Sequence, residues 1–241
     1  WRGLMTSLIK IVTLLSGILL SSSIFALQGL NVITITTDDP QDYVEWLAES
    51  QPVFQAAQGD NQAAQGICSP SSGGVYTNEH YVWTISPSIS AMMSNSDFFT
   101  EKDVAKALKK IANKREIVRR DSMYIIKEAS IADVGVTTAQ YNLISSTNDI
   151  SGYASALTAM EEAAAKNGFE DISIALFGHL AGGDRALTVM ASIQAPNSAR
   201  LGAFFDQRLS PWMSEAISGF NVIRTPVMDF MMECTTLSVN G

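Results

Sequence analysis

The sequence predicts an α+β protein that contains two copies of one β-α-β-β-α-β unit. The prediction rests first on hydrophobic spacing, which in each half alternates between short β-branched segments and segments of helical period. It rests second on an internal match, because landmarks of the first half recur in the same order in the second. The chain has 241 residues, of which 46% are hydrophobic, so it has enough apolar material for such a core.

The internal match runs through most of the chain at a spacing of 105 to 110 residues. The matching pairs are Asp39 with Asp149, Tyr43 with Tyr153, Leu47 with Leu157, Gly73-Gly74 with Gly182-Gly183, Pro87 with Pro196, Phe98-Phe99 with Phe204-Phe205, Ile117-Val118-Arg119 with Val222-Ile223-Arg224, Met123 with Met228 and Glu128 with Glu233. Because the order is kept and the spacing drifts by only a few residues, we predict a tandem duplication with repeats over 28–131 and 136–240.

Each repeat is predicted to begin with a strand and a helix. In the first, a β-branched segment over 31–37 leads into Asp39 and Pro40, which is typical of a helix start. One face of the helix that follows carries Tyr43, Trp46 and Leu47. We expect Asp39 and Asp149 to cap their helices by accepting backbone N–H bonds, although the two could also form a carboxylate pair.

Two strands around a glycine pair follow in each repeat, because glycine accepts the positive φ of a tight turn. A second helix and a last strand complete the unit. The predicted strands cover 64–70, 78–86, 172–179 and 185–193, with closing strands over 123–126 and 228–232. In the first repeat the second helix is expected after a capping box over Thr100–Asp103, with Val104, Leu108 and Ile111 as its apolar stripe.

This order of elements is that of the ferredoxin-like arrangement. Two such units in one chain resemble the dimeric α/β-barrel superfamily, which includes the antibiotic-biosynthesis monooxygenase, EthD-like and stress-responsive barrel families. The local signatures behind the resemblance are Asp-x-x-x-Tyr-x-x-x-Leu from Asp39 to Leu47 and the Gly73-Gly74 turn. The resemblance implies that two ferredoxin-like sheets close into one pseudo-twofold barrel with helices outside, which would make a monomeric barrel.

The N-terminal segment has the order of a secretory signal peptide. Met5 is followed by one positive charge, Lys10, by an apolar run over 11–20, and by small residues that end at Ala26. An uncleaved anchor is the less favoured alternative, because a membrane-spanning helix needs about 20 apolar residues. We therefore predict a signal peptide over residues 1–26 and a periplasmic or secreted protein with no membrane span after cleavage.

Cys68 and Cys234 are the only two cysteines, and we expect them to form a disulfide. An exported protein matures in an oxidising compartment, where two cysteines tend to pair. In a ferredoxin-like sheet the second and fourth strands are the edges, so closing the barrel implied by the resemblance places the two cysteines on neighbouring edges. The alternative is two buried free thiols.

Two histidines, His80 and His179, are the candidate catalytic residues, because histidine titrates near neutral pH. A histidine at a strand end is more often an ordinary hydrogen-bonded residue, so both assignments are weak. Haem-degrading relatives in the superfamily use a histidine, an asparagine and a tryptophan. Here His80, Asn78 and Trp83 crowd onto one strand without that spacing, and we transfer no such role.

Motifs for phosphate or dinucleotide binding are absent from the sequence. The glycine-rich run Phe177–Gly183 leads into a predicted strand, whereas a phosphate cradle needs a helix N-terminus. We therefore predict no cofactor and no metal. Arg119 and Arg224, which precede the last strands, could bind an anionic ligand, although structural ion pairs are the more common role.

Three functions stay open. In the first, the barrel holds a small apolar or aromatic molecule, with Tyr81, Trp83 and Ile85 alternating towards the lumen, unless these residues instead pack against helices. In the second, implied by the resemblance, the protein is a cofactor-independent monooxygenase or isomerase that acts on an aromatic or polyketide-like substrate. The third is a non-catalytic interaction protein.

The third function would use the basic segment 101–120. It carries eight basic and three acidic residues in a chain whose net charge is −8, so it could bind an acidic partner. The competing interpretation is the solvated outer face of a helix, with Lys102, Lys106 and Lys109 in water. The acidic balance of the whole chain argues against nucleic acid as a partner.

Overall fold

Eight antiparallel strands close into a barrel, and six α-helices lie outside it in a computed structural model that describes residues 26–240. The predicted signal peptide, 1–26, therefore lies outside the described residues except for Ala26. The strands are β1 (Gly29–Thr36), β2 (Ala64–Ser72), β3 (Glu79–Ser86), β4 (Glu116–Lys127), β5 (Thr137–Ser146), β6 (Ser173–Ala181), β7 (Thr188–Ala195) and β8 (Thr225–Val239). The helices are α1 (Pro40–Gln58), α2 (Ile89–Ser94), α3 (Lys102–Ile111), α4 (Ile150–Lys166), α5 (Ser198–Phe205) and α6 (Pro211–Ser218).

Around the barrel the strand order is β1-β3-β2-β8-β5-β7-β6-β4. Each half of the chain therefore supplies one four-stranded sheet, and the two sheets meet at the seams β2–β8 and β4–β6. Both seams are antiparallel ladders, so no strand is left with an unpaired edge. The predicted α+β class and the closed barrel are confirmed.

The caps of the first helix in each half follow the sequence prediction. The carboxylate of Asp39 accepts a bond from the backbone N–H of Asp42, and Asp149 accepts one from Gly152 in the second half. These bonds satisfy N–H groups that the first turn of a helix leaves free. Tyr43 and Tyr153 are then buried one turn later, where each anchors its helix to its own sheet.

The basic segment 101–120 is only partly helical, which corrects the sequence prediction. Helix α3 ends at Ile111, and β4 already begins at Glu116. The N-cap of α3 is Glu101, whose side chain makes no capping bond, so the predicted capping box is wrong. Strand β4 runs far beyond 123–126. The sequence prediction missed its first half, because Arg119, Arg120 and Asp121 break the hydrophobic pattern there.

Near their last strands, structurally equivalent residues of the two halves keep nearly the same spacing in sequence. The spacing in the sequence match, in contrast, drifts there. Arg224 donates to the hydroxyl of Tyr153, and the residue that donates to Tyr43 is Arg115, not Arg119. The strand ladders show the same correspondence. Leu30 on β1 pairs with Met123, and Gln140 at the matching position of β5 pairs with Met232, so Met123 corresponds to Met232 and not to Met228. Arg119 and Arg224 thus occupy different places in the fold.

Helices pack on the outer face of each sheet, and each half has its own outer core. Trp46 on α1 packs there with Val104 of α3, and Leu157 on α4 packs with Phe204 of α5. A third apolar cluster lies inside the barrel. Within residues 26–240, no helix is both long and apolar enough to cross a bilayer.

Candidate ligand site in the barrel lumen

The barrel lumen contains a cavity of about 210 Å³ that is partly open to solvent. Successive side chains of a strand point to opposite faces, so every second residue of each strand faces this lumen. Residues 128–136 link the two halves, and Ala129 to Ala132 line the lumen at the end where β4 stops. The other end, where β6 stops and β7 begins, carries His179 and is called the histidine rim below.

One wall of the lumen is apolar and the opposite wall is polar. The apolar wall, on β1 and β3, consists of Leu30, Val32, Trp83 and Ile85. The polar wall, on β5 and β7, consists of Gln140, Asn142, Ser192 and Gln194. The pairs β1–β3 and β5–β7 are four places apart in a ring of eight strands, so the two walls face each other across the cavity.

Most side chains of the polar wall are bonded to one another. The hydroxyl of Ser192 donates to Gln140 at 3.3 Å, and Gln140 donates to Gln194 at 3.0 Å. Gln194 in turn donates to the backbone carbonyl of Ser130 in the linker at 3.2 Å. These hydrogen bonds give Ser192, Gln140 and Gln194 partners within the fold and hold the linker against the polar wall.

Asn142 lies in the same wall but is not part of this chain of hydrogen bonds. It is fully buried, and among the described residues neither its amide nitrogen nor its carbonyl oxygen has a hydrogen-bond partner. Leaving a buried polar group unsatisfied costs about 1–3 kcal/mol. The matching position on β1 is Val32, which shows that an apolar side chain fits this place in the fold.

His179 lines the lumen at the histidine rim. Its Nδ1 lies 3.0 Å from the hydroxyl oxygen of Thr188 and 3.3 Å from that residue's backbone carbonyl. The hydroxyl proton of Thr188 is already donated to the carbonyl of Arg185, at 2.6 Å, so both neighbours of Nδ1 act as acceptors. The proton of a neutral ring therefore sits on Nδ1, and Nε2 carries a lone pair.

The ring of His179 is held neutral near pH 7. Burial lowers the pKa of His179, and the nearby carboxylate of Asp121 only partly opposes this effect. Its Nε2 has no partner among the described residues, although the residue is only 8% exposed. The lumen thus contains an unprotonated nitrogen that can accept a hydrogen bond or a proton.

An ion-pair network closes the histidine rim. Asp121 is buried, and its carboxylate accepts bonds from Arg119 at 3.0 Å and from Arg185 at 3.3 Å. Arg119 also bonds the backbone carbonyl of Gly182 and the carboxylate of Asp184 in the β6–β7 turn. Two arginines therefore compensate the buried charge and tie the turn to β4.

The residues singled out from the sequence divide between the lumen and the outer face. Tyr81, Trp83, His179 and Arg119 lie in or at the lumen, and their proposed roles in binding stay predictions. Arg224 lies beneath α4, where it bonds Tyr153 and stacks on Phe220, so it is not part of this site.

His80 is turned away from the lumen, because its neighbour Tyr81 faces inwards. Its Nδ1 pairs with the hydroxyl of Ser69 at 2.9 Å, which is the ordinary hydrogen-bonded role that the sequence favoured. Tyr81 donates to the buried carboxylate of Glu79 at 2.6 Å. Burial and this carboxylate both raise the pKa of Tyr81, so its hydroxyl stays protonated.

Asn142, Asp121 and Arg185 were missed by the sequence analysis. Asn142 left a usable signal, since it is a polar residue between Tyr141 and Leu143-Ile144 in the predicted strand pattern. Asp121 and Arg185 left none, because single charged residues beside a turn or a strand end are normally solvated.

Cys68 and Cys234 are directly opposite each other in the β2–β8 ladder, and the structure joins them by a disulfide. Both face the lumen. The bond lies at the seam between the two sheets, where the sequence analysis placed it.

Comparison with known proteins adds information about the fold only. No protein-family model matches the chain, and no curated protein sequence matches it. Solved structures do. A monooxygenase-like protein of Fusobacterium nucleatum subsp. nucleatum has a TM-score of 0.57 at 12% identity, over 90% of this chain and 95% of that one.

Two further similar structures differ in the function that is ascribed to them. An anthrone oxidase-like protein has a TM-score of 0.55 at 11% identity, covering 90% of this chain and 93% of its own. A haem-binding protein from Thermus thermophilus has a TM-score of 0.50 at 8% identity, covering 87% and 91%. At these identities the likeness shows the ferredoxin-like α/β-barrel class and nothing finer.

The residues of the lumen do not fit a haem. His179 offers a free nitrogen of the type that ligates haem iron. The cavity beside it has about 210 Å³, however, which is below the roughly 300–1,000 Å³ usual for larger organic ligands. A larger cavity of about 300 Å³ lies between the second sheet and its helices, but neither histidine lines it.

Proposed function

We propose that the protein binds a small, largely apolar molecule in the barrel lumen and holds it by a hydrogen bond to Nε2 of His179. The observation that carries the proposal is a lumen cavity with an apolar wall, lined also by His179 and Asn142, whose Nε2 and amide atoms are buried without a partner among the described residues. Binding sites for small molecules combine mostly apolar walls with a few placed polar groups. A ligand that donates a hydrogen bond would satisfy Nε2.

We also propose that the protein acts outside the cytoplasm and arose by tandem duplication. The signal-peptide pattern over 1–26 and the Cys68–Cys234 pairing support export, because disulfides persist in oxidising compartments. The identical order of elements in the two halves supports duplication. A duplicated chain can change the lumen lining of one half independently of the other, which a homodimer cannot do.

A second candidate is catalysis by proton abstraction. A neutral histidine whose Nε2 lone pair faces an apolar cavity is placed to act as a general base on an acidic O–H or C–H group. The fold class contains monooxygenase-like proteins, which agrees with this candidate without deciding it. The reaction would need a substrate whose acidic hydrogen reaches Nε2.

The interaction-protein alternative would depend on Lys102, Lys106, Lys109 and Lys110, which are exposed on α3, and it is less favoured because other basic residues of the segment are engaged within the fold. Lys114 pairs with Asp42, Arg115 stacks on Tyr43 and Trp46, and Arg119 belongs to the rim network. A lumen lined by apolar side chains and a few polar groups instead favours a small-molecule ligand.

The experiment that tests the proposal has two arms. Native mass spectrometry of protein recovered from an exporting host would show a retained small molecule. Calorimetric titration with 2-naphthol, whose hydroxyl donates one hydrogen bond, measures the role of His179 directly. We expect His179→Leu to weaken binding at least about tenfold and His80→Leu, the matched control outside the lumen, to change it little.

Equal binding by the wild type and by His179→Leu would contradict the assigned hydrogen bond. The absence of both a retained molecule and any binding of two-ring probes would contradict the proposed function itself.

A further inference from the structure

Asn142 is the starting point for an inference about the chemistry of the ligand. It lies in the middle of β5, between Ser192 on β7 and Phe230 on β8. Its two amide atoms have no partner among the described residues, whereas Gln140 and Gln194 in the same wall bond each other. The carboxamide is therefore not part of the network that ties this wall together.

Folding does not require a polar residue at this position. In the first half, the corresponding position on β1 holds Val32, which pairs with Trp83 and Asp121 in the same manner. Because a buried amide with no partner is unfavourable, its presence in place of a valine points to a partner that the chain itself does not supply.

The chemistry of a carboxamide defines that partner. The group presents an N–H donor and a carbonyl acceptor side by side in one plane, and it pairs with two bonds to an edge that offers an acceptor beside a donor. Its neighbours across the ladder, Ser192 and Phe230, carry no charge. A neutral edge with an acceptor beside a donor complements the uncharged carboxamide.

We propose that the ligand is a neutral molecule with a lactam-type edge, an N–H next to a carbonyl, which bonds both amide atoms of Asn142. The proposal rests on the proposed function, namely that the lumen binds a small, largely apolar molecule. The apolar body of the ligand lies against Val32 and Trp83 on the facing wall. Asn142 is thus the residue that determines specificity.

The test compares two-ring probes of nearly equal size that differ only in their polar edge. These are naphthalene, which has none, quinoline, which has an acceptor, and 2-quinolone, which has a donor beside an acceptor. Titration of the intact, disulfide-bonded protein should show 2-quinolone binding at least about tenfold more tightly than the other two.

The Asn142→Leu variant should bind all three probes with nearly equal affinity and should keep its affinity for naphthalene. The matched control is Asn31→Leu on β1, where Asn31 accepts a bond from Ser122 and does not line the lumen. This control should keep the preference for 2-quinolone.

The outcomes separate the two proposals. If naphthalene and 2-quinolone bind the wild type equally well, the lumen binds ligands but the assigned edge is wrong. A preference that survives in Asn142→Leu contradicts the role of this residue. If no probe binds at all, the proposed function fails and this inference fails with it.

Discussion

The unpaired polar atoms of Asn142 and His179 lower the stability of the unliganded barrel. Each has a buried polar atom without a partner among the described residues, and each lines the lumen. Binding sites often contain groups that are unfavourable for the unliganded fold, because the ligand satisfies them later. This property can be measured without knowing the ligand.

We predict that Asn142→Leu stabilises the unliganded protein. The change removes an unsatisfied buried amide and adds apolar surface of nearly the same volume, so the free energy of unfolding should rise by about 1–2 kcal/mol. Denaturant titration measures the change, and Asn31→Leu is the control, since it removes a bond to Ser122 and should not stabilise. A loss of stability in Asn142→Leu would show that the amide has a partner in solution.

The histidines make a second prediction, on pH. Burial lowers the pKa of His179 and of His80 below the value of an unfolded chain, about 6.5. The unfolded state then binds more protons, so the stability contributed by the neutral rings is present above about pH 6.5 and is lost as the pH falls through the folded pKa values.

Unfolding free energies measured from pH 8 down to pH 5 should therefore decrease, and a His80→Gln, His179→Gln double variant should show a shallower decrease. An identical pH profile for the variant would overturn the assignment of buried, neutral rings.

At the scale of elements, the seam between β2 and β8 is the feature that most constrains the barrel. Cys68 and Cys234 are 166 positions apart but directly opposed in this ladder. A cross-link that closes so long a loop stabilises by at most about 4–5 kcal/mol in the chain-entropy model, and often by less.

We predict that reduction lowers the denaturation midpoint of the wild type and leaves that of a Cys68→Ala, Cys234→Ala variant unchanged. The oxidised, denatured wild type should contain no titratable thiol. Two free thiols in that sample would contradict the Cys68–Cys234 disulfide.

The elements also show what hydrophobic spacing could predict. Helix α1 was predictable, because Asp39 caps it and Tyr43, Trp46 and Leu47 all face the core. Strand β4 was predicted too short, since its first half alternates Arg119 and Asp121 towards the lumen. Charged side chains can face the interior of a barrel only when they compensate one another there, and that compensation involves Arg185 from a distant turn.

At the scale of the whole molecule, the two sheets depend on each other. The inner face of the first sheet carries Leu30, Trp83 and Met123, which are covered only because the second sheet closes the barrel. Burial of apolar surface contributes about 25 cal/mol per Å², so exposing this face would be strongly unfavourable.

We predict that residues 28–133 expressed alone do not form a stable monomer. They should aggregate or form a dimer that rebuilds the barrel, which size-exclusion chromatography with light scattering would detect. A soluble monomer with a protected core in hydrogen exchange would contradict the shared barrel.

The amino-acid sequence by itself determined the order of the strands and the caps of α1 and α4. These features depend on residues that are close in the chain or that recur along it, such as Asp39 with Tyr43 and Asp149 with Tyr153. The signal peptide over 1–26 was also predicted in this way, from composition and order alone.

Only the tertiary structure decided which side chains share the lumen. Asn142, His179 and Trp83 come from three strands that are far apart in the sequence, and barrel closure makes them line one cavity. The tautomer of His179 likewise depends on a bond between Thr188 and Arg185 in a turn. A polar residue in a strand looks the same in a sequence whether it meets water, another side chain or a ligand, because that difference depends on closure of the barrel.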